Sequence, residues 1–299
     1  MSDRRIEFAL ALPNYRPGAS REGIQAAVET CSRLGWGSVW TTDHLLPEPS
    51  DASADYATIF EALSTLAYIG GLDQQIRLGT SVIVVPMRNA VVLAKEIASI
   101  DALTEGRLTV GVGVGWNRTE FGNVGVAERF SRRGAYLDEA IALWRHLWAG
   151  EESLFEGRFH RFDEIRFSPR PVQGAGLPIW IGGRSEPALR RAGRLGDAYH
   201  QSAASPAQLA VRAPVVLAAA EEAGRPRPTL SARIRVAFGP HEGPLYVLAG
   251  TPEQMRTELE AFVSAGASHL LIDLQETDPQ RHTALFERFH RDVASAFGA

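Results

Sequence analysis

The chain has a single cysteine, Cys31, in 299 residues. One thiol excludes an intrachain disulfide and a cysteine metal cage. Its place in a helical pattern marks it as a small buried hydrophobe. Long apolar runs are also missing. The first apolar stretch, residues 6–12, is short and interrupted by Glu7, so it predicts neither a membrane span nor a secretory signal. There is no Lys/Arg run, and the formal net charge is only −4, which argues against nucleic acid and membrane surfaces as partners. A P-loop lysine motif, H-x-H, H-E-x-x-H and G-x-S-x-G are all absent, and the eight histidines are dispersed, so no metal site is expected. With 45% apolar and 22% charged residues, the composition is that of a globular protein, and we expect it in the cytoplasm.

What is present is a rhythm. Strand-like runs at 6–12, 38–43, 76–85, 107–115, 177–183, 197–202, 230–239 and 268–274 are each followed by a helical pattern. Many lack polar alternation, as expected of strands covered on both faces. Glycines recur where helices end, among them Gly35, Gly106, Gly150 and Gly266. Eight such units in this length predict a closed (β/α)₈ TIM barrel, a single α/β domain over residues 1–299. An open doubly wound sheet is disfavoured because no G-x-G-x-x-G follows the first strand. The segment 153–176, with alternating aromatics around turn residues, predicts a small β-hairpin insertion on the face away from the chemistry.

In a barrel, the reactive groups belong at the C-terminal strand ends. The second strand ends on Asp43-His44. His44 there can exchange a proton or hold an anion, and Asp43 can bind a polar ligand edge; the plainer reading is a turn cap and a packed imidazole. Gly79, Thr80 and Ser81 in the third strand fit either close ligand approach or tight interior packing. Gly111, Gly113 and Gly115 alternate along the fourth strand, so one face is emptied of side chains. That suits a slot for a flat ligand, with Trp116 at its mouth, or simple barrel taper. In "IWIGGRSEPALRRAG", Gly182 and Gly183 leave a strand, Ser185 suits a helix cap, and Arg184 adds a bidentate donor. Such a helix start suits a phosphate; the alternative is a capped connection with a surface arginine. The stripe Leu137, Ile141, Trp144, Trp148 reads as core.

"TTDHL", "LGTSVIVVP", "ALTEGRLTVGVGVGWNRTEF" and "IWIGGRSEPALRRAGRLGDA" occur in order over most of residues 6–200. Together they resemble the luciferase-like monooxygenase superfamily, and more narrowly its branch of probable coenzyme F420-dependent oxidoreductases. The resemblance implies a barrel, often a homodimer, that binds a deazaflavin (coenzyme F420), or FMN in sister branches, at the C-terminal mouth. It implies Asp43 and His44 against the cofactor, and a non-prolyl cis peptide, Ser81-Val82, behind the ring. Gly182, Gly183, Arg184 and Ser185 would hold the phosphate end, and Gly115 and Trp116 would line the slot. The implied activity is hydride transfer between F420 and a small organic substrate. Alternatives are an FMN-dependent monooxygenase served by a separate cofactor reductase, and a barrel that binds the cofactor without turnover. Sugar-phosphate dehydrogenases of the family place a Trp shortly after the His and a Glu just after the glycine strand. Glu48 and Trp116 stand there instead, which argues against a sugar phosphate. Glu120 fits the narrower branch without an assigned role.

Overall fold

The computed structural model describes residues 6–50, 53–151, 153–203, 205–243 and 245–299. Its elements, in order, are β1 (Glu7–Ala11), α1 (Arg21–Arg33), β2 (Ser38–Thr41), α2 (Ala62–Leu72), β3 (Arg77–Thr80), β4 (Ile83–Val84), α3 (Ala90–Leu103), β5 (Leu108–Gly113), α4 (Arg118–Asn123), α5 (Arg133–Ala149), β6 (Phe155–Glu156), β7 (Arg161–Phe162), β8 (Ile179–Gly182), α6 (Glu186–Leu195), β9 (Ala198–Ser202), α7 (Pro206–Glu222), β10 (Thr229–Phe238), β11 (Leu248–Gly250), α8 (Pro252–Ser264), β12 (His269–Asp273) and α9 (Pro279–Asp292). All barrel pairings are parallel and run β1-β2-β3-β5-β8-β9-β10-β12, with β12 returning to β1. This is the expected closed (β/α)₈ barrel. The hairpin is β6-β7, antiparallel, with Phe155 opposite Phe162 and their rings 5.5 Å apart.

The third stave differs from a continuous strand 76–85. It breaks after Thr80 and resumes at Ile83, and the Ser81-Val82 peptide between the two halves is cis. The first half pairs with β5 through Leu78 and Gly79, the second through Ile83 and Val84. The β5 glycines accommodate this bulge. A Cβ on Gly111 would stand 1.9 Å from the Thr80 carbonyl oxygen, and one on Gly113 would stand 2.7 Å from Val82 Cγ2. The emptied face of β5 therefore receives the neighbouring chain, not an open slot.

Outward-facing Leu10, Val39, Val110, Ile179 and Ile272 meet the helices in one continuous core that also takes Trp144 and Trp148. Each large side chain buried this way contributes about 1.5–3 kcal/mol. The interior holds Ala9, Ala11, Trp40 and Leu271 with Trp180 against them. Trp40 and Trp180 rings lie 4.8 Å apart. Gly79 makes room for Trp40: a Cβ there would fall 2.3 Å from the indole. Packing, not a ligand, explains that glycine. Cys31 is fully buried in the core, and burial pushes its thiol pKa up.

Beside the tryptophans the interior turns polar. Hydrogen bonds link Ser81 Oγ to His200 Nε2, His200 Nδ1 to Ser231 Oγ, and Ser231 Oγ to His269 Nδ1, each 2.8 Å long. Burial, with the nearby Arg233 charge, lowers the His200 pKa to about 3, and burial also holds His269 well below its usual value. Both rings are therefore neutral in the native state. Unfolded histidines take up protons near pH 6.5, which the folded chain refuses until far lower pH, so stability falls as pH drops through that window. We expect the melting temperature to be steady from pH 8 to 7 and to decline progressively from about pH 6.5 to 4. A melting temperature unchanged down to pH 4 in a circular dichroism series would contradict neutral burial of this pair.

Candidate active site

His44 follows β2 and is buried, with 7% exposure. Its partner comes from α4. Asn117 caps that helix, its side chain accepting from the Glu120 amide at 3.2 Å, which sets Glu120 on the first turn and points it inward. His44 Nδ1 donates to Glu120 Oε2 at 2.7 Å, while Glu120 Oε1 accepts from the amides of Leu45 at 2.6 Å and Leu46 at 3.1 Å. A carboxylate only accepts, so the neutral imidazole carries its proton on Nδ1 and presents the Nε2 lone pair. Nε2 has no hydrogen-bond partner among the described residues. Burial works to raise the Glu120 pKa, but His44 and the two amides outweigh it and hold the carboxyl below its usual value. The Tyr56 ring packs on His44 with centroids 3.9 Å apart, and Trp116, 51% exposed, stands at 6.0 Å. Half-buried Glu48 accepts from Asn117 Nδ2 at 2.5 Å, which ties the loop after His44 to the start of α4.

Asp43 does something other than meet a ligand edge. Its side chain is fully buried, and its two oxygens accept from Arg88 at 2.6 Å and from the Val84 amide at 2.9 Å. Arg88 also donates to Glu61 at 2.9 Å. Asp43 thus fastens β4, just past the Ser81-Val82 bulge, to the end of β2. Burial, helped by the Glu61 charge, raises the Asp43 carboxyl pKa against the opposing Arg88 charge and Val84 amide.

The bulge is supported from below by Arg233, which points into the barrel from β10. Arg233 donates to the Ser81 carbonyl at 2.9 Å, Thr42 Oγ1 at 2.8 Å, Tyr15 Oη at 2.9 Å and Asp273 Oδ2 at 3.0 Å. Tyr15 donates to the same Asp273 oxygen at 2.7 Å, and Arg16 to the other at 3.2 Å. Burial would raise the Asp273 pKa, yet the charges of Arg233 and Arg16 drive it far below the carboxylate range. Burial raises the Tyr15 pKa, so its hydroxyl stays a donor.

Val82 sits against β8 as well: a Cβ on Gly182 would lie 3.3 Å from Val82 Cγ1. The structure thus brings Ser81, Val82 and Gly182 together. Gly183 has φ 141°, and a Cβ there would meet Ala188 at 2.4 Å, so only glycine fits this turn into α6. Ser185 is the N-cap of α6 and Pro187 its early proline, but the serine side chain accepts no cap hydrogen bond. In the first turn of α6 only the Glu186 amide keeps that capacity, beside exposed Arg184 and Ser185, since Pro187 has no N–H and Ala188 donates to the Ser185 carbonyl at 2.9 Å. Gly115 has φ 74°, and a Cβ there would meet Val84 at 2.6 Å and Phe121 at 3.0 Å. Like Gly111 and Gly113, it makes room for protein.

A family model for luciferase-like monooxygenases matches residues 8–296. The chain belongs to this family. The luciferase-like chain is 25% identical to a F420-dependent glucose-6-phosphate dehydrogenase from Nocardia farcinica, over 96% of its own length and 97% of that protein's. It is 34% identical to the enzyme of that name from Nakamurella multipartita, over 55% of its own length and 47% of the relative's. Among solved structures, a F420-dependent secondary alcohol dehydrogenase in complex with an F420-acetone adduct superposes with TM-score 0.80 at 20% identity, covering 97% of this chain and 99% of that one. An FMN complex of a type II Baeyer-Villiger monooxygenase from Pseudomonas putida gives TM-score 0.79 at 17% identity, covering 97% and 98%. These two share the luciferase-like fold.

Sequence reasoning missed the role of Glu120 and the existence of the Tyr15-Arg233-Asp273 cluster. Both left signals. Asn117 and Glu120 have helix-cap spacing just past a strand end. Asp273 closes the last strand of this luciferase-like barrel, and Ser231, Arg233 and Arg235 alternate along one face of β10, a polar stripe in a strand covered on both sides.

Proposed function

We propose that this luciferase-like barrel is an oxidoreductase that moves a hydride between coenzyme F420 and a small organic substrate. The observation that carries this reading is the His44-Glu120 pair: an imidazole with Nδ1 held by a buried carboxylate and Nε2 open at the barrel mouth beside an exposed indole. The surroundings fit a planar cofactor with a phosphate tail. The Ser81-Val82 bulge offers a floor, and α6 begins on a glycine turn with the uncapped Glu186 amide beside Arg184. Bound F420 supplies the hydride chemistry at its deazaflavin ring. The chain's own residues do the rest. His44 Nε2 takes or gives the proton that accompanies hydride transfer. Glu120 fixes its tautomer and steadies the imidazolium. Asp43 and Arg233 hold the bulge from either side, and Trp116 walls the substrate from water. Relatives of this length bear names as F420-dependent dehydrogenases, which supports the deazaflavin over FMN. Glu48 and Trp116, where sugar-phosphate enzymes of the family carry Trp and Glu, turn the reading away from glucose 6-phosphate. The homodimer implied by the resemblance and the cytoplasmic setting expected from composition belong to the same reading.

Parallel titrations of the purified protein with F420 and FMN test it. F420 should bind at least about ten-fold tighter, a difference of about 1.4 kcal/mol. Protein that holds FMN, ignores F420 and consumes oxygen when given reduced FMN would instead be a flavin monooxygenase.

A further inference from the structure

One cluster at the barrel mouth carries a surplus of positive charge. Three guanidiniums, those of Arg16, Arg233 and Arg235, face two carboxylates, those of Asp55 and Asp273. Asp273 is closely held by Arg233 at 3.0 Å and Arg16 at 3.2 Å. Asp55 is shared by Arg16 and Arg235, each at 3.5 Å, with its side chain 42% exposed. Such a long, open contact leaves the Arg235 charge nearly uncompensated. Arg235 follows Arg233 by two residues on β10, so both point toward the barrel axis.

A cavity of about 40 Å³ opens beside them, lined by Arg235, Arg233, Tyr56, Ser202 and Thr42, with the Asp273 carboxylate also on its wall. Among the described residues, Arg235 uses one donor, on Asp55. The hydroxyls of Tyr56 and Ser202 likewise have no partner among the described residues, and neither is a sealed polar atom, since both reach solvent or the cavity. Three donors and a spare positive charge thus converge on one small space whose one carboxylate, Asp273, is already taken by Arg233, Tyr15 and Arg16. Water offers such a set no charge, whereas an oxyanion satisfies it. The volume suits a planar carboxylate, which engages a guanidinium through two parallel bonds. Tyr56 joins this space to the chemistry, because its ring packs on His44 at 3.9 Å.

We propose that this cavity is a carboxylate subsite and that the substrate is a small organic acid, its carboxylate held by Arg235, Tyr56 and Ser202 and its reacting carbon presented to His44. This inference rests on the F420 reading and names the substrate class for it. Malonate titrated into the cofactor-free protein by calorimetry is the direct probe, with malonamide as its uncharged match. Malonate should bind and malonamide should not. Arg235→Met should weaken malonate binding about ten-fold or more, the usual effect of losing a charged hydrogen bond, and Ser202→Ala should weaken it less. Both variants should melt within a few degrees of the native protein. Equal malonate affinity in native and Arg235→Met protein overturns the site, as does equal binding of malonamide. Inorganic phosphate bound more tightly than malonate overturns the carboxylate assignment. F420 titrated into Arg235→Met should bind as it does to the native protein; loss of F420 binding would give the cavity to the cofactor and overturn the proposal. Native protein that takes malonate through Arg235 yet ignores F420 would refute the cofactor reading and leave the anion site standing.

Discussion

Asp273→Ala is expected to remove roughly 3–5 kcal/mol of folding stability, as when one partner of a buried ion pair is deleted. Arg233 is the reason. It is buried, with 7% exposure, and its close anionic partner is Asp273, at 3.0 Å. Without that carboxylate the guanidinium stays charged, desolvated and opposed by the Arg16 charge nearby. Tyr15 loses its acceptor at 2.7 Å as well. Replacing both partners tells a different story. An Arg233→Met/Asp273→Leu double variant removes the central pair together and should recover part of the loss, with Arg16 left to Asp55 alone at 3.5 Å. The pH dependence has a definite sign. The folded carboxyl titrates far below the unfolded value of about 3.9. Its contribution is therefore complete above about pH 4 and fades as pH falls below that. Denaturant unfolding at pH 7 checks the first claim: a loss under about 1 kcal/mol for Asp273→Ala would mean that the cluster is not sealed from water.

The contrast between this cluster and the barrel itself shows what a sequence makes legible. Eight strand-helix units, the hairpin and the break at Ser81-Val82 could all be read, because periodicity, glycine placement and familiar strand-end motifs are local signals. His44 could be read too, since it stands at a strand end. The pairings across the barrel could not. Glu120 lies 76 residues from His44, and Asp273 lies 258 residues from Tyr15, so nothing in either neighbourhood announces its partner. The same distance effect misdirected the reading of Asp43. Its strand-end position pointed to a ligand and gave no sign of Arg88 and Val84, brought over by the bulge, which each donate to one of its oxygens. The glycines of β5 misdirected in a similar way. A face without side chains signals that something comes close, and here that something is the Thr80 carbonyl and Val82.

The second large effect concerns the His44-Glu120 pair. His44→Ala should lower F420-linked turnover on the order of 10²–10⁴-fold, the range of a positioned general acid-base, with F420 affinity little changed. Glu120→Gln keeps shape and volume, and its amide oxygen can still accept from Leu45 and Leu46. Its NH₂, however, faces His44 Nδ1 as a donor and selects the opposite tautomer, with the proton on Nε2. That ring cannot accept a proton where the substrate lies. Turnover should fall about 10–10²-fold through kcat, with KM and F420 binding near native values. The loss has a signature independent of substrate: ¹⁵N imidazole spectra should place the proton on Nδ1 in the native protein and on Nε2 in Glu120→Gln. Because Glu120 acts through His44, the double variant should be no slower than His44→Ala alone. Losses that simply multiply would show Glu120 acting on the reaction by itself, and an Nε2-protonated ring in the native protein would remove the base from the barrel mouth.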